Sequence, residues 1–522
     1  METRSTRKIK PASLGKLAKP GSTGWFDAEI EEARQSGTKQ SGTKQSGTKQ
    51  GKVLRHSKRL RKNPSPSKSP SPSLSKSLSK SPNKSSSTRK AAAASTIVSF
   101  FRKTKHTRKA RFLETLCSDS GVCLAFGQHT DEIKKYFNGF TAFNYVIPPI
   151  KRIGKHSENG FINQIEYEHR GYKSYAILKS AKTPDADNLL YEYIVGLYMN
   201  QLNKQYPCFL ETYGYYMYKK DKYWKRLQKD KPVTDISVLK KGLTFLKDID
   251  FYKACKSSQQ IAILIQHLKN IQSLDDVSRE PDFIQNELMG ILYQLYAPLG
   301  KLKNNFTHYD LHLNNIYIYE PVTGSYIEYH YYDGPSSIVS FKSSYMLKII
   351  DYGRSYFKDD LNRTDSKHIY ETQLCPEDEC NEPEDERGTC GSRVGFIWME
   401  ELSKTEPEKQ FYISSQQRNM SHDLLPLNRI KENNTAPNIN QLTPELNTLV
   451  NKVVYKDYFG TPEKTSESKT KIGNVSDAAF FIRKYLMNSE FQRKNEEVNA
   501  GKTKLGDLHV YMDGRPMLFV PI

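Results

Sequence analysis

Two short stretches constrain this chain more than anything else in it. Phe306 to Tyr319 reads FTHYDLHLNNIYIY, and Leu347 to Ser355 reads LKIIDYGRS. The first sets His308, Asp310 and Asn315 in a His-x-Asp-x-x-x-x-Asn spacing, followed at once by an alternating apolar run that predicts a strand. The second is an apolar strand ending on Asp351-Tyr352-Gly353. Phosphoryl transfer asks little covalent chemistry of a protein; it needs an acceptor hydroxyl held in line and divalent metal on the phosphate oxygens. Asp310 has the chemistry to orient and deprotonate a hydroxyl, while Asn315 and Asp351 offer hard oxygen ligands for magnesium. The competing reading makes Asp310 and Asn315 turn residues and His308 a packed core histidine. The order of the motifs and their strand contexts favour the first reading.

These residues resemble the catalytic and metal-binding loops of the protein kinase-like superfamily, with DYG where protein kinases have DFG. The resemblance implies an α+β, bilobal fold with a small, mainly β amino-terminal lobe and a larger, mainly α carboxy-terminal lobe. It also implies ATP with Mg2+ (or Mn2+) as cofactors, Asp310 as proton acceptor, and Asn315 and Asp351 as metal ligands. Upstream, Tyr175 to Lys179 (YAILK) resembles the VAIK strand, whose lysine contacts the α- and β-phosphates. Glu192 lies thirteen residues later in NLLYEYIVGLYMNQL, an amphipathic helical pattern, and by the same resemblance pairs with Lys179. Taken alone, the two read as a surface lysine and a solvated glutamate. Gly154 and Gly160 bracket the turn KHSEN where a kinase closes a glycine-rich loop over phosphates; here the spacing is Gly-x5-Gly, and His156 stands where a middle glycine is expected. By itself that pattern is an ordinary hairpin turn. IAILIQHL, Ile261 to Leu268, reads as a short buried strand leading into a hinge, with Gln266, His267 and Leu268 as candidates to receive adenine.

Other expectations follow along the chain. PCFLETYGYYMY, Pro207 to Tyr218, predicts a strand pair, and the apolar spacing from Asp282 to Phe306 predicts one long helix before the catalytic loop. Tyr309 stands where kinases carry the arginine of HRD, which predicts no requirement for activation-loop phosphorylation. His312 stands where Ser/Thr kinases carry lysine, as it does in aminoglycoside- and choline-type kinases. The 35 residues between Asn315 and Asp351 hold a Tyr-rich hairpin with Asp333-Gly334 as its turn signal. No APE motif follows DYG. Cys375, Cys380 and Cys390 with His368 are weighed as zinc ligands against free thiols in a loop, and the missing CxxC pairs favour thiols. Asp423 resembles the aspartate that braces the catalytic-loop backbone in kinases. The last hundred residues read as helical and polar in part, ending in HVYMDGRPMLFVPI with no function attached. The whole constellation, over roughly 140–522, resembles serine/threonine kinases of large DNA viruses of the iridovirus type.

Charge separates a further region. Residues 1–113 hold 28 Lys and Arg against 5 Asp and Glu, so the net +21 of the chain belongs to its amino-terminal arm. Residues 1–95 read as a disordered Lys/Arg/Ser/Pro-rich arm with three SGTKQ repeats from Ser36 to Gln50, too few apolar groups to offset ordering entropy. Residues 96–140 read as a partly helical linker, 141–268 as the amino-terminal lobe and 269–522 as the carboxy-terminal lobe. The arm suits salt-sensitive, non-specific contact with DNA or RNA, a nuclear import role through SKRLRK, or simple tethering. Seven scattered cysteines, the lack of an apolar stretch behind METRSTRKIK, and no apolar run near ~18–20 residues predict a soluble, intracellular protein without a membrane span. Its expected compartment is host cytoplasm or nucleus, or the virion.

The leading expectation is an ATP-dependent protein kinase acting on Ser/Thr hydroxyls of a protein substrate. A small-molecule phosphotransferase and a non-catalytic pseudokinase that binds nucleic acid through its arm remain as alternatives.

Overall fold

The computed structural model describes residues 130–154, 160–181, 188–247, 261–334, 337–372, 396–398, 411–413, 416–435, 442–455 and 470–521. The basic arm, the KHSEN turn and the three cysteines weighed for zinc lie outside the described residues. Among the described residues, no helix is long and apolar enough to cross a membrane.

The amino-terminal portion contains α1 (Thr130–Tyr136), β1 (Val146–Ile153), β2 (Gly160–His169), β3 (Tyr172–Ala181), α2 (Asn188–Leu202), β4 (Thr212–Tyr218), α3 (Asp221–Gln228), α4 (Ser237–Lys240), β5 (Leu243–Leu246) and β6 (Ile261–His267). Its strands form one antiparallel sheet in the order β1-β2-β3-β6-β4-β5. Strand alternation decides which side chain faces which layer. Ala176 and Leu178 of β3, Ala262 and Leu264 of β6, and Tyr216 and Tyr218 of β4 share a core with Ile133, Phe137, Phe140 and Phe143. Burying each large apolar group there contributes roughly 1.5–3 kcal/mol. The period of two turns Lys179 to the opposite face, where α2 packs across β3, β4 and β6.

Two expectations change here. The α2 segment is not amphipathic in place: from Leu189 to Met199 every side chain is buried except Leu197, because the helix is held between the sheet and the strand Tyr356–Asp359 of the carboxy-terminal portion. Gly196 permits the close approach, since a Cβ there would lie 2.2 Å from Thr212 Oγ1. The strand pair expected over 207–218 is a single strand, β4. Residues before it run beside the carboxy-terminal portion instead, where Ile349 N–H donates to the Cys208 carbonyl (2.7 Å) and the buried Lys348 ammonium donates to the Pro207 and Phe209 carbonyls.

The carboxy-terminal portion begins with β7 (Gln272–Ser273), α5 (Leu274–Val277), α6 (Pro281–Asn286) and α7 (Leu288–Lys301). The single long helix expected from Asp282 is broken at Glu287, whose carboxylate turns to accept the Ser343 hydroxyl at 2.7 Å. Then come β8 (Phe306–Thr307), β9 (Ile316–Tyr319), β10 (Ser325–Tyr332), β11 (Ile338–Ser343), β12 (Met346–Ile349), β13 (Tyr356–Asp359), β14 (Thr364–Asp365) and α8 (Ser366–Thr372). After β15 (Phe396–Trp398) and β16 (Phe411–Ile413), the chain continues with α9 (Leu425–Thr435), α10 (Pro444–Asn451), α11 (Val475–Leu486), α12 (Ser489–Asn499), β17 (Thr503–Tyr511) and β18 (Leu518–Pro521).

The Tyr-rich hairpin forms as β10 and β11, its turn closed by Asp333 N–H donating to Ser337 O at 2.9 Å. The final segment, unassigned from sequence, adds β17 parallel to β10 and completes the sheet β11-β10-β17-β18. Its inner face carries Tyr329, Tyr331, Phe341, Leu508 and Val510, and Tyr293 of α7 meets Tyr331 edge-on at 5.0 Å.

Candidate active site

The site is assembled by strand register. In the small sheet β12-β9-β7, Ile349 pairs with Ile316, so the chain ends carrying Asn315 and Asp351 emerge side by side, and Ile350 N–H donates to Asn315 O at 3.0 Å. From the other portion, Lys179 reaches across. Its Nζ lies 2.6 Å from Glu192 Oε2 and 3.0 Å from Asp351 Oδ1. A strand and the helix that follows it therefore meet, on one ammonium, a loop 172 residues beyond the lysine.

One cation serves two carboxylates, and the two respond differently. Burial, with the like charge of Asp351 behind it, pushes Glu192 up to about 7 against the pull of Lys179. Asp351, with 43% of its side chain exposed, is held down at about 2 because the Lys179 ammonium outweighs the desolvation acting on it. Burial works to discharge Lys179, but the two carboxylates overcome it and keep the ammonium above its ordinary range.

The loop from His308 to Asn315 is tied down from beneath. Asp423 accepts the backbone N–H of His308 (2.7 Å) and of Tyr309 (3.1 Å), and burial raises its carboxyl to about 7 despite those donors. Burial lowers the pKa of His308, so the ring is neutral, and its contacts identify the tautomer. Nε2–H donates to the Ile350 carbonyl (2.9 Å), while Nδ1 accepts the Asp310 N–H (3.3 Å). His308 thereby couples the loop bearing Asp310 to the residue before Asp351. Asn315 Nδ2 donates to the Asp310 carbonyl at 2.8 Å, which directs the amide oxygen elsewhere. The Asp310 carboxylate remains 29% exposed, with His312 Nε2 at 3.9 Å.

Backbone strain marks both loops. Tyr309 at φ +64° and Asp351 at φ +65° occupy the left-handed region, a cost of about 1–3 kcal/mol each. Tyr309 is held there by Asp423 and by its own hydroxyl, which donates to Gln417 O at 2.6 Å.

A cavity of about 460 Å³ opens beside the triad, lined by Lys179, Glu192 and Asp351 at one end and by residues 265–271 at the other. Gly154, His267 and Leu268 are among the residues lining it, and Gly160 is not. Gly160 is closely packed: a Cβ there would lie 2.6 Å from the Ser180 carbonyl of β3. Asp310 and Asn315 stand outside the cavity lining, on the adjoining loop. Sequence reasoning passed over Gln164, Lys269 and Tyr317, which also line the cavity. Tyr317 was open to detection, since the period of two puts it on the same side of β9 as Asn315.

No family model matches the chain, and no curated protein matches it. Among solved structures, the crystal structure of a kinase domain aligns at 15% identity with a TM-score of 0.24. The alignment covers 42% of this chain and 53% of that one, so this chain spans about half the length of the kinase structure it matches. At so low a score neither fold nor activity follows from the likeness.

Proposed function

We propose that the chain is an ATP-dependent protein kinase that transfers the γ-phosphate to Ser or Thr hydroxyls of protein substrates, on a bilobal kinase-like fold. The observation that carries this reading is the convergence of Lys179, Glu192 and Asp351 within 3.0 Å at the end of a cavity of about 460 Å³. The resemblance to kinases of large DNA viruses belongs to the same proposal.

In this reading the nucleotide base lies toward His267 and Leu268, and Lys179 holds the phosphates while Glu192 steadies Lys179. The Asp310 carboxylate accepts the proton of the acceptor hydroxyl, and Asp423 and His308 keep its loop in position. Asn315 and Asp351 suit magnesium, because the Asp351 carboxylate stays ionised and the Asn315 amide nitrogen is already committed to Asp310 O. Bound there, the metal would neutralise charge developing on the phosphate oxygens. The arm, rich in Lys and Arg, is proposed to contact DNA or RNA through phosphates.

A second reading, a small-molecule phosphotransferase, draws on His312 beside Asp310 at 3.9 Å. Labelled ATP with casein-like, aminoglycoside or choline acceptors separates the two. Binding is tested first by heat: Mg·ATP at 100 times its Kd should stabilise the chain by about 2.7 kcal/mol. No shift in melting temperature with Mg·ATP would exclude the whole proposal.

A further inference from the structure

Glu192 meets Lys179 only while α2 is held against the rest of the molecule, and a buried chain of hydroxyls does the holding. Tyr191, its neighbour on α2, is 1% exposed, and its hydroxyl lies 2.6 Å from the Ser355 carbonyl and 2.7 Å from Ser366 Oγ. A carbonyl can only accept, so the single phenolic proton goes to Ser355 O. Ser366 Oγ in turn accepts the Phe357 N–H at 2.7 Å, and its own proton has two acceptors within reach, Tyr191 Oη at 2.7 Å and the Phe357 carbonyl at 3.2 Å. The relay runs from the Phe357 amide through Ser366 and Tyr191 to the Ser355 carbonyl. It joins α2 to the segment that follows Asp351-Tyr352-Gly353.

Every member is inside the protein: Ser355 and Ser366 have no exposed surface, and Phe357 is 1% exposed. Gln201, ten residues further along α2, adds a donor to Asp359 Oδ2 at 2.9 Å, and Tyr198 packs its ring on Phe357 at 5.4 Å. At the loop position between His308 and Asp310 stands Tyr309, 2% exposed, uncharged and closed onto the Gln417 carbonyl. That position carries no cation to receive a phosphate.

We propose that Tyr191 and Ser366 are positioning residues: their hydroxyl relay locks α2 onto residues 355–366 and so keeps Glu192 on Lys179 without phosphorylation of the chain. The proposal rests on the kinase reading of the site. Because the relay is neutral, it is not weakened by salt as an ion pair at the surface would be.

The test uses the full chain with Mg·ATP and an acceptor protein, comparing wild type, Y191F, S366A, E192Q and the two doubles with E192Q. Expected are a kcat lowered about tenfold in Y191F and in S366A, the size of one lost buried hydrogen bond. Neither change should add to E192Q, because both act through Glu192. Phosphatase treatment should leave the wild-type rate unchanged, and the ratio of Y191F to wild type should hold between low and high salt. If Y191F fails to fold, S366A carries the same comparison. Additivity with E192Q, a lowered melting temperature with an unchanged rate per folded molecule, or activity abolished by phosphatase would each overturn the relay. A wild type that neither transfers phosphate nor gains heat stability from Mg·ATP overturns the reading of the site, and the relay's role with it.

Discussion

Lys179 and Lys504 each sit between two carboxylates, and their surroundings differ in everything except that count. In the cleft, Lys179 holds Glu192 and Asp351. On the sheet of β10 and β17, Lys504 holds Glu328 (2.6 Å) and Asp507 (2.8 Å), and His330 bridges Ser340 Oγ and Asp507 at 2.8 and 2.9 Å. The sheet cluster lies on paired strands, with a register shift just after Lys504, and is partly open to water throughout, and hydrogen bonds to Lys504 and His330 outweigh desolvation to lower the Asp507 carboxyl. The cleft has a carboxylate 4% exposed and driven up to about 7, an aspartate on left-handed backbone, and a cavity alongside. Equal formal charge therefore does not make equal sites. What separates them is unfavourable burial and strain kept next to open space, features that cluster at functional sites.

The largest expected contrast is in rate. Asp310→Ala should lower phosphoryl transfer on the order of 10²–10⁴-fold with the melting temperature unchanged, whereas Lys504→Ala should leave turnover as it is. Equal losses from the two would erase the distinction between cleft and sheet. Next in size is Lys179→Met, which strands Glu192 in the interior and should cost on the order of 3 kcal/mol near pH 8. Much of that should return near pH 5, where Glu192 takes a proton and no longer needs a partner. Denaturant melts at the two pH values measure it.

A smaller effect concerns the slope of stability with pH. Glu192 and Asp423 bind protons more tightly folded than unfolded, so their contribution is present below about pH 4 and is lost as pH rises through about 7. Each adds a fall of up to about 1.4 kcal/mol per pH unit across that window. Glu192→Gln and Asp423→Asn should each flatten it, and a slope untouched by either would contradict their burial as acids. Smallest is the sheet itself: Lys504→Ala should cost about 1 kcal/mol or less, as partly exposed ion pairs do, and 0.5 M salt should mask most of it.

Alternation and turn chemistry made much of the architecture readable from residues alone. The period of two in β2 and β3, the short apolar run of β6, and the Asp333-Gly334 turn between β10 and β11 are local properties, and local properties survive without knowledge of the neighbours. Lys179 and Glu192 were legible as a pair only through the resemblance of YAILK and the helix after it to the kinase pattern; taken alone they read as a surface lysine and a solvated glutamate. The rest depended on distant partners. A continuous helical pattern from Asp282 gave no sign of the break at Glu287, whose carboxylate accepts a serine hydroxyl from β11. Nor did the polar reading of the last hundred residues announce β17, which pairs with a strand about 180 residues away to cover Tyr329 and Tyr331.

Residue order alone determined the acidic and amide groups available to the cleft, the strand or helix under each, and the concentration of positive charge in the arm. Tertiary structure alone decided that α2 is buried on nearly every side, that Gly160 is closely packed while Tyr317 faces the cavity, and that Tyr309 and Asp351 adopt left-handed backbone. Propensity and periodicity act over a few residues. Burial, desolvation and strain depend on what the remainder of the chain brings alongside.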